Sequence, residues 1–494
     1  SNIIFILLHF FAKELVKGMG LAYMGSRNTE TTSENILKGV KRVHFVGIGG
    51  SGMSTLAEIL HSRGYIITGS DINESDNVDR MRALGIPVVL KHQEENLGDA
   101  ELVVYTSAVN VNNPELAKAE KDGIPTIERG KLLGLITREY KNTISVAGTH
   151  GKTTTTSMLS QILIMGGFDP TIYIGGRLPL INANGRAGDS DIMVCESCEF
   201  QDHYLSMRPA VCVVLNVDAD HLDYFGSIEN VIESFRRFAN LAEKAVIINA
   251  DDKNTLRMAE GLSGKRVITY GFGEENDWSA RNIRLVNGSY GQYDLYHKGE
   301  FFASVTLGVP GKHNISNSMA AAAAAHLCGA SAEQIMEGLQ SFKGAGRRFE
   351  FLGTFAGVTV ADDYAHHPTE IAATLNAAKA MGYQRVWAVF QPFTYSRTAR
   401  HLDGFVESLS TADQVVLSEI MGSREVNEWG VSSEQITSRI KGAVYLPKFE
   451  QIADYVSNNV SAGDLVLTMG GGDIYKCARM IVSRLKQKEV EHAV

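Results

Sequence analysis

A glycine-rich loop that runs into lysine and threonine carries the clearest chemical signal in the chain. The stretch "GTHGKTTTT", which begins at Gly148, has the spacing G-x-x-G-K-T, two residues shorter than the usual phosphate loop G-x-x-x-x-G-K-[ST]. It follows a strand pattern and begins a helical one. In that setting the Lys152 ammonium reaches terminal phosphates and the Thr153 hydroxyl takes a Mg²⁺ position. A turn with an exposed lysine is the weaker interpretation, because four threonines make a poor helix start without such a role.

A second glycine-rich loop, "GIGGSGMS", lies between a strand pattern and a helical pattern near the start of the chain. Its glycines allow a tight turn and let the helix N-terminus approach a diphosphate. Asp71 ends the next strand, where a carboxylate can accept a hydrogen bond from a ribose hydroxyl. We therefore predict a nucleotide diphosphate here, although a tight packing turn beside a solvated Asp71 fits the same pattern. The predicted residues are Gly47, Gly49, Gly50, Ser51, Gly52, Met53 and Asp71.

Acidic and imidazole side chains follow two further strand patterns. Glu196 ends the strand in "DIMVCE", and His221 follows the strand in "AVCVVLNV" after two aspartates. Ligands bind at the carboxyl ends of strands in parallel sheets. With the Thr153 hydroxyl, phosphate oxygens and water, Glu196 and His221 would complete a Mg²⁺ site. A structural role for His221 and a solvated Glu199 remain open from the residues alone.

Two asparagines mark the start of a strong helical pattern in "GKHNISN". Asn314 and Asn317 are three residues apart, so their side chains share one face of the helix. Their amides can pair with an adenine edge. Capping of the helix by Asn314 is the alternative, and it is compatible with the first.

The last third of the chain adds arginines, aspartates and histidines near strand ends. The arginine pair in "GAGRRFEF" can supply a guanidinium for phosphate charge. "VADDYAHHPTE" has two aspartates and two histidines together, but their spacing does not support a zinc site, and "QPFTYSRT" adds one more arginine. A solvated polar domain surface remains an open alternative for all of them. These residues are Arg347, Arg348, Asp362, Asp363, His366, His367 and Arg397.

Short β-branched runs alternate with helical patterns along most of the chain, which predicts βαβ units on parallel sheets. The predicted fold is α/β with three domains. We expect a Rossmann-like N-terminal domain over residues 41–140 and a Rossmann-like C-terminal domain over 343–494. Between them, residues 141–342 are expected to form a P-loop-type ATPase domain with a mostly parallel sheet and a small antiparallel sheet. Residues 1–40 are predicted to be an N-terminal extension.

Length and composition restrict the class of protein. The chain has 494 residues and a formal net charge of -9, which favours several domains and argues against a general nucleic-acid binder. Five cysteines do not suggest a disulfide framework, and they indicate a reducing compartment, the cytoplasm. Cys195 and Cys198 form an isolated C-x-x-C pair, for which redox or metal use is a minor interpretation. The apolar run 3–11 is far shorter than the roughly 20 residues of a membrane span, so we predict no stable membrane insertion.

Taken together, the motifs resemble the Mur ligases of bacterial cell-wall synthesis, in the expected order over residues 41–480. Within that family, "HFVGIGGSGMS", "AGTHGKTTTT", "NVDADHLDYF", "GKHNISN" and "DDYAHHPTE" are similar to the branch that adds L-alanine. The short phosphate loop is the family's own. The resemblance implies that ATP, with Mg²⁺, phosphorylates the lactyl carboxylate of UDP-N-acetylmuramate. L-alanine then attacks the acyl phosphate, and a tetrahedral intermediate releases phosphate, giving a peptidoglycan precursor.

The resemblance also implies roles for individual residues. Catalysis would fall to Lys152, Glu196, His221 and Arg348. The Mg²⁺ ligands would be Thr153, Glu196 and His221. ATP would contact Gly148, Thr149, His150, Gly151, Lys152, Thr153, Thr154, Asn314, Asn317, Arg348 and Asp363. The UDP part would lie on the first glycine loop and Asp71, and the alanine end would meet His367 and Arg397. The C-terminal domain would close over ATP and the amino acid in a monomer or homodimer.

Two regions depart from the family pattern. Other branches have a carbamoylated lysine after the magnesium histidine, where this chain has Arg236 and Arg237, so we predict no carbamoyl-lysine. Phe393 stands where a histidine is common, which leaves the form of the amino-acid pocket open.

Three other functions fit parts of the sequence. A recycling murein-peptide ligase would add a whole tripeptide to the same carboxylate. An NAD-dependent oxidoreductase would use the first glycine loop and Asp71, but it leaves Lys152 and Glu196 without a role. A non-catalytic nucleotide-binding regulator would not need Lys152, Glu196 and His221 together.

Overall fold

The computed structural model describes residues 36–106, 109–110, 112–423 and 425–492. The predicted N-terminal extension therefore lies almost entirely outside the described residues. Within them the chain forms three α/β units, each built on its own sheet. The predicted three-domain α/β fold is confirmed, while the domain boundaries stay predictions. None of the helices in the described part of the chain is both long and apolar enough to span a membrane.

The first sheet has five parallel strands in the order β3-β2-β1-β4-β5. The strands are β1 Arg42–Val46, β2 Ile66–Ser70, β3 Val88–Val89, β4 Leu102–Tyr105 and β5 Thr126–Glu128. The helices are Ser51–Ser62, Asp76–Ala83, Pro114–Asp122 and Arg129–Thr137, with a 3-10 turn at Glu94–Leu97. The strand order reverses between β1 and β4, so the glycine loop after β1 lies at the switch point where such sheets bind ligands.

The second sheet has ten strands in the order β15-β14-β13-β12-β11-β10-β6-β9-β7-β8. The strands are β6 Asn142–Ala147, β7 Thr171–Leu178, β8 Ala183–Arg186, β9 Ile192–Glu196, β10 Val211–Val214, β11 Ala245–Asn249, β12 Val267–Gly271, β13 Trp278–Val286, β14 Tyr290–His297 and β15 Glu300–Pro310. The helices are Lys152–Met165, Leu222–Phe225, Ile228–Asn240, Lys253–Ala259, His313–Leu327 and Ala332–Ser341, with 3-10 turns at Pro179–Ile181 and Phe200–Ser206. The predicted antiparallel strands β13–β15 extend the parallel sheet rather than forming a separate one, because β13 pairs in parallel with β12.

The third sheet has six strands in the order β16-β17-β21-β18-β19-β20, and only its edge pair β16–β17 is antiparallel among the described strands. The strands are β16 Glu350–Phe355, β17 Val358–Asp363, β18 Val386–Phe390, β19 Gln414–Leu417, β20 Val444–Tyr445 and β21 Leu465–Met469. The helices are Pro368–Ala380, Tyr395–Arg400, Leu402–Leu409, Glu434–Thr437, Phe449–Asn459 and Tyr475–His492.

Strands β10, β6 and β9 of the second sheet position the central site. They are parallel neighbours, so their carboxyl ends meet at one edge of the sheet. Strand β6 runs into the phosphate loop and β9 ends at Glu196, whereas β10 leads to Asp218. All three strands are almost completely buried, which makes this edge a rigid support for polar side chains.

Candidate active site

The phosphate loop takes its shape from two glycines in left-handed conformations. Gly148 has φ of +148° and Gly151 has φ of +83°, where other residues are strained. A Cβ on Gly151 would lie 2.7 Å from the Asn317 side-chain oxygen, so the position also lacks space for a side chain. The helix starts directly at Lys152 and no side chain caps it. Its first N–H groups therefore face the loop as an anion site.

Lys152 bends back over its own loop. Its ammonium donates to the carbonyl oxygens of Gly148 at 2.5 Å and Thr149 at 3.1 Å, and to both carboxylate oxygens of Glu199 at 3.0 and 3.1 Å. Glu199 is only 3% exposed, so the interpretation of it as a solvated charge is wrong. Burial lowers the pKa of Lys152, but the carboxylate of Glu199 outweighs it and the pKa is raised. Lys152 is therefore a fixed positive charge at the loop.

Thr153 and Glu196, two of the three predicted Mg²⁺ ligands, are in contact. The Thr153 hydroxyl donates to Glu196 Oε1 at 2.9 Å, and Glu196 Oε2 accepts from the Gly175 N–H at 2.6 Å. The pair offers oxygen atoms only, the donor type that Mg²⁺ prefers. His221 makes its contacts elsewhere, with the carboxylate of Asp220 at 3.8 Å and the ring of Phe200 at 4.9 Å between centroids.

The two adjacent arginines at the start of the C-terminal domain have different hydrogen-bond partners. Arg347 donates to Asp362 Oδ2 at 2.9 Å and to two carbonyl oxygens of the C-terminal domain at 2.8 Å each. Both guanidinium groups lie over the Tyr364 ring, Arg347 at 4.9 Å and Arg348 at 5.1 Å from its centroid. Arg348 Nη2 lies 3.3 Å from the Thr153 hydroxyl of the central domain. Arg347 thus holds this segment to the C-terminal domain, and Arg348 reaches the phosphate loop.

The Asp363 carboxylate accepts hydrogen bonds from two backbone N–H groups of the C-terminal domain. Its carboxylate accepts from the N–H groups of Phe349 and Ala365 at 2.7 Å each, and it is buried. Burial raises the pKa of Asp363 to about 6, although the Arg348 charge opposes the shift. The Phe349 contact holds the segment that follows Arg348 against the end of strand β17. The predicted role of Asp363 at a ribose stays a prediction.

Charged side chains from two domains meet in front of the phosphate loop. His150 Nδ1 lies 3.1 Å from Glu370 of the C-terminal domain, and Nε2 lies 3.4 Å from Asp218. Arg397 of the C-terminal domain donates to Asp220 at 3.0 Å. Burial lowers the pKa of His150, but the carboxylates of Asp218 and Glu370 outweigh it and raise the pKa to about 9. The imidazole is therefore a cation that links the two domains at neutral pH.

His367 completes this cluster from the C-terminal side. Its ring centroid lies 5.2 Å from that of His150, and its Nδ1 accepts from the Thr369 N–H at 3.4 Å at the start of a helix. Its Nε2 is buried and has no hydrogen-bond partner among the described residues. Burial and the nearby His150 cation lower the pKa of His367 to about 4, so the ring is neutral.

The His150 environment predicts a pH dependence of stability. The pKa of His150 is raised on folding, from an ordinary 6.5 to about 9, so its stabilising effect is complete below pH 6.5 and fades as pH rises to 9. The effect amounts to at most about 3 kcal/mol. We expect the difference in Tm between wild type and His150→Gln to shrink between pH 6.5 and 9. A difference that stays constant over this range would contradict the assigned ion pairs.

The two asparagines lie near the start of the helix that begins at His313, and Asn317 lies against Gly151 of the phosphate loop. Asn314 donates to the Pro310 carbonyl at 2.7 Å and accepts from Asn317 at 3.0 Å. The helix begins at His313, and no side chain caps its N-terminus. The capping alternative for Asn314 is therefore wrong, because its side chain is bonded to a carbonyl. The predicted adenine contact stays a prediction.

The first glycine loop is held by Asp71 and lies against the central domain. Asp71 accepts from the Gly49 N–H at 2.9 Å. A Cβ on Gly52 would lie 2.2 Å from the Tyr173 hydroxyl and 2.9 Å from the Arg129 guanidinium, which are hydrogen-bonded to each other. No sequence motif points to Tyr173 or Arg129. Glu199, Asp218 and Glu370 were also not assigned roles, because their partners are distant in the chain.

A phosphate loop with a buried lysine, a neighbouring oxygen site and an arginine from a third domain defines a three-domain nucleotide-dependent enzyme. Profiles of the Mur ligase family match its three parts in order. The catalytic domain profile covers residues 42–141, the middle domain 146–325 and the glutamate ligase domain 347–472. The chain belongs to the Mur ligase family, as the sequence motifs predicted.

Similar proteins point to one branch of that family. The UDP-N-acetylmuramate–L-alanine ligase of Caldanaerobacter subterraneus subsp. tengcongensis is 44% identical over 457 residues, which is 91% of this chain and 99% of that protein. The solved UDP-N-acetylmuramate–alanine ligase of Thermotoga maritima has a TM-score of 0.78 at 28% identity, over 90% of this chain and 99% of that one. A murein peptide ligase of Psychrobacter arcticus 273-4 has a TM-score of 0.70 at 25% identity with the same coverage.

Proposed function

We propose that the chain joins L-alanine to the lactyl carboxylate of UDP-N-acetylmuramate, with cleavage of ATP to ADP and phosphate. The observation that carries the proposal is the contact between the central and C-terminal domains at the phosphate loop, where Arg348 approaches the Thr153 hydroxyl at 3.3 Å. The relative from Caldanaerobacter, at 44% identity, supports L-alanine as the acceptor. The product is a precursor of peptidoglycan, made in the cytoplasm.

ATP would bind across the phosphate loop. The Lys152 ammonium has three N–H donors, and phosphate oxygens would replace the loop carbonyls while Glu199 keeps the side chain in place. Asn314 and Asn317 would contact adenine, and Asp363 the ribose. The remaining proposed contacts are Gly148, Thr149, His150, Gly151, Thr153, Thr154 and Arg348.

The donor set next to the loop fits a magnesium ion. The Thr153 hydroxyl and the Glu196 carboxylate are hard oxygen ligands 2.9 Å apart, and we propose His221 as a further ligand on the other side. Bound there, Mg²⁺ would neutralise charge on the phosphates. The position of His221 beside Asp220 keeps it close to the interdomain ion pair with Arg397.

Phosphorylation is needed because a free carboxylate is a poor electrophile. In the transfer of the γ-phosphoryl group, negative charge spreads over its oxygens and over the leaving ADP. Lys152 and Arg348 would approach this charge from two domains, so their positions are effective only when the C-terminal domain is closed. The amine of L-alanine then attacks the carbonyl carbon of the acyl phosphate, and the C–O bond to phosphate breaks as the amide forms and the amine loses a proton. We propose His367 and Arg397 at the alanine end of the site.

The UDP part would bind on the first glycine loop, at Gly47, Gly49, Gly50, Ser51, Gly52, Met53 and Asp71. Gly52 lies against Arg129 and against Tyr173, so this loop contacts strand β7 of the central domain. The Arg129 guanidinium would add positive charge next to a diphosphate. Burial raises the pKa of the Tyr173 phenol to about 12, so its hydroxyl stays neutral and can donate a hydrogen bond.

Phosphate release with ATP, Mg²⁺ and UDP-N-acetylmuramate tests the proposal. We expect release that depends on L-alanine. Release with a murein tripeptide and none with L-alanine would support a murein peptide ligase instead, the activity named for the Psychrobacter protein. Absence of release with every acceptor would overturn the ligase proposal. Carbamate at a lysine is not expected, so omission of bicarbonate should not change the rate.

A further inference from the structure

Three side chains form a group between the central and C-terminal domains, which we call the interdomain histidine site: His150, Asp218 and His367. Each contributes one ligand-type atom, and these atoms all lie within 4.8 Å of one another. His150 and Asp218 follow strands β6 and β10, whereas His367 precedes a helix of the C-terminal domain. The donors are two imidazole nitrogens and one carboxylate oxygen, a different chemistry from the oxygen pair of Thr153 and Glu196.

His150 is oriented as metal-binding histidines are. Its Nδ1 lies 3.1 Å from Glu370 Oε1, and its Nε2 faces Asp218 at 3.4 Å. A histidine that binds a metal through one nitrogen usually donates the other N–H to a carboxylate, which fixes the tautomer and the ring. Glu370 supplies that carboxylate. A bound cation would take the place of the proton that Nε2 otherwise holds toward Asp218.

His367 gives an independent indication of a ligand. Its Nδ1 is used by the Thr369 N–H, which leaves Nε2 with a lone pair or a proton but no partner among the described residues. The residue is 94% buried, with 6% of its surface exposed. A buried polar atom without a partner costs about 1–3 kcal/mol, so a ligand that meets Nε2 would relieve the cost.

We propose that the interdomain histidine site binds a divalent transition metal of the Zn²⁺ class through His150, Asp218 and His367. Two imidazoles and one carboxylate suit zinc rather than Mg²⁺. In a tetrahedral zinc site neighbouring ligand atoms are roughly 3.3 Å apart, so the two domains would approach slightly. Water or an anionic group of a substrate would take the fourth position.

Binding would hold the two domains together, because the ligands come from both. It would also occupy His367, one of the two side chains that we assign to the alanine end of the active site. We therefore expect Zn²⁺ to act as an inhibitor that excludes the acceptor, with Mg²⁺ unable to replace it. The binding itself requires neither ATP nor substrate, so it can be measured whether or not the ligase proposal holds.

The experiment is a titration of the full chain with Zn²⁺ by calorimetry, in excess Mg²⁺ and without nucleotide, with Co²⁺ absorption as a second readout. We expect one strong site and a tetrahedral Co²⁺ spectrum. His367→Gln and Asp218→Asn should each weaken Zn²⁺ binding at least tenfold, and Glu370→Gln should weaken it about 10–100-fold. His401→Gln is the matched control, since its ring lies 4.7 Å from that of His367 but outside the site.

Cys198→Ser is a second control, because this thiol is exposed and thiolates are ligands that soft metals prefer. The proposal is overturned if wild type lacks a strong site, if Cys198→Ser removes it, or if neither Asp218→Asn nor His367→Gln weakens it. Each variant is first compared with wild type by thermal unfolding in a chelator. Asp218→Asn decides the question if His367→Gln does not fold, since Asp218 is not at a helix start.

Discussion

Replacing Lys152 by alanine is expected to lower the rate of ATP-dependent phosphate release by roughly 10³-fold or more, because a buried charge next to the transferring phosphoryl group is lost. The same change leaves the carboxylate of Glu199 buried without its cation, since the two side chains are 15% and 3% exposed. Removal of one partner of a buried pair costs about 3–5 kcal/mol. Both activity and Tm should therefore fall. Steady-state kinetics and thermal unfolding measure the two effects.

A double variant separates the two effects of this change. Lys152→Ala with Glu199→Gln removes the unpaired charge, so Tm should recover while phosphate release stays absent. Glu199→Gln alone should also lower Tm, because it leaves the Lys152 ammonium without its carboxylate partner, and it should release Lys152 from its fixed position. Recovery of activity in the double variant would show that Lys152 acts only through folding, and the proposed role at the phosphates would then be wrong.

Arg348→Ala and Arg347→Ala are expected to have opposite effects, although the residues are neighbours. Arg348 reaches the Thr153 hydroxyl across the domain interface, so its loss should lower the rate by roughly 10³-fold and leave Tm nearly unchanged. Arg347 is bonded to Asp362, which is 2% exposed, and to carbonyl oxygens of its own domain. Its loss should destabilise that domain by about 3 kcal/mol.

Lysine substitutions test the same assignment more finely. Arg348→Lys keeps the charge near the phosphates and should recover part of the activity. Arg347→Lys cannot make all three hydrogen bonds of the guanidinium, to Asp362 and to two carbonyl oxygens, so this variant should remain unstable. Rates of phosphate release and urea unfolding are the measurements. If Arg347→Ala removed activity at full stability while Arg348→Ala remained active, the two roles would have to be exchanged.

Much of the fold follows from local patterns. The strands that the sequence predicted, such as β9 and β10, are buried on both faces and carry continuous apolar runs. The strands it did not predict, such as β5, β16 and β20, are short or partly exposed and lie at sheet edges. Edge strands need fewer apolar residues, so their pattern is weaker. The antiparallel strands were predicted, but their continuity with the parallel sheet was not.

The phosphate loop shows where local chemistry is sufficient and where it is not. The glycine spacing and Lys152 identify the loop because a tight turn before a helix is a local structure. Glu199, three residues after Glu196, gives no comparable signal, and its burial against Lys152 depends on β9 lying beside β6. Asn314 was open to two interpretations because the start of its helix and its bond to Pro310 depend on the surrounding fold.

The sequence by itself determined the two glycine loops, the α/β class and the family, because these depend on residues close together in the chain. Only the tertiary structure decided which side chains meet between the domains. Arg348 and Thr153 are 195 residues apart, and His150 and Glu370 are 220 residues apart. Such contacts depend on strand order and on the orientation of one domain against another, which hydrophobic periodicity and motif spacing do not encode.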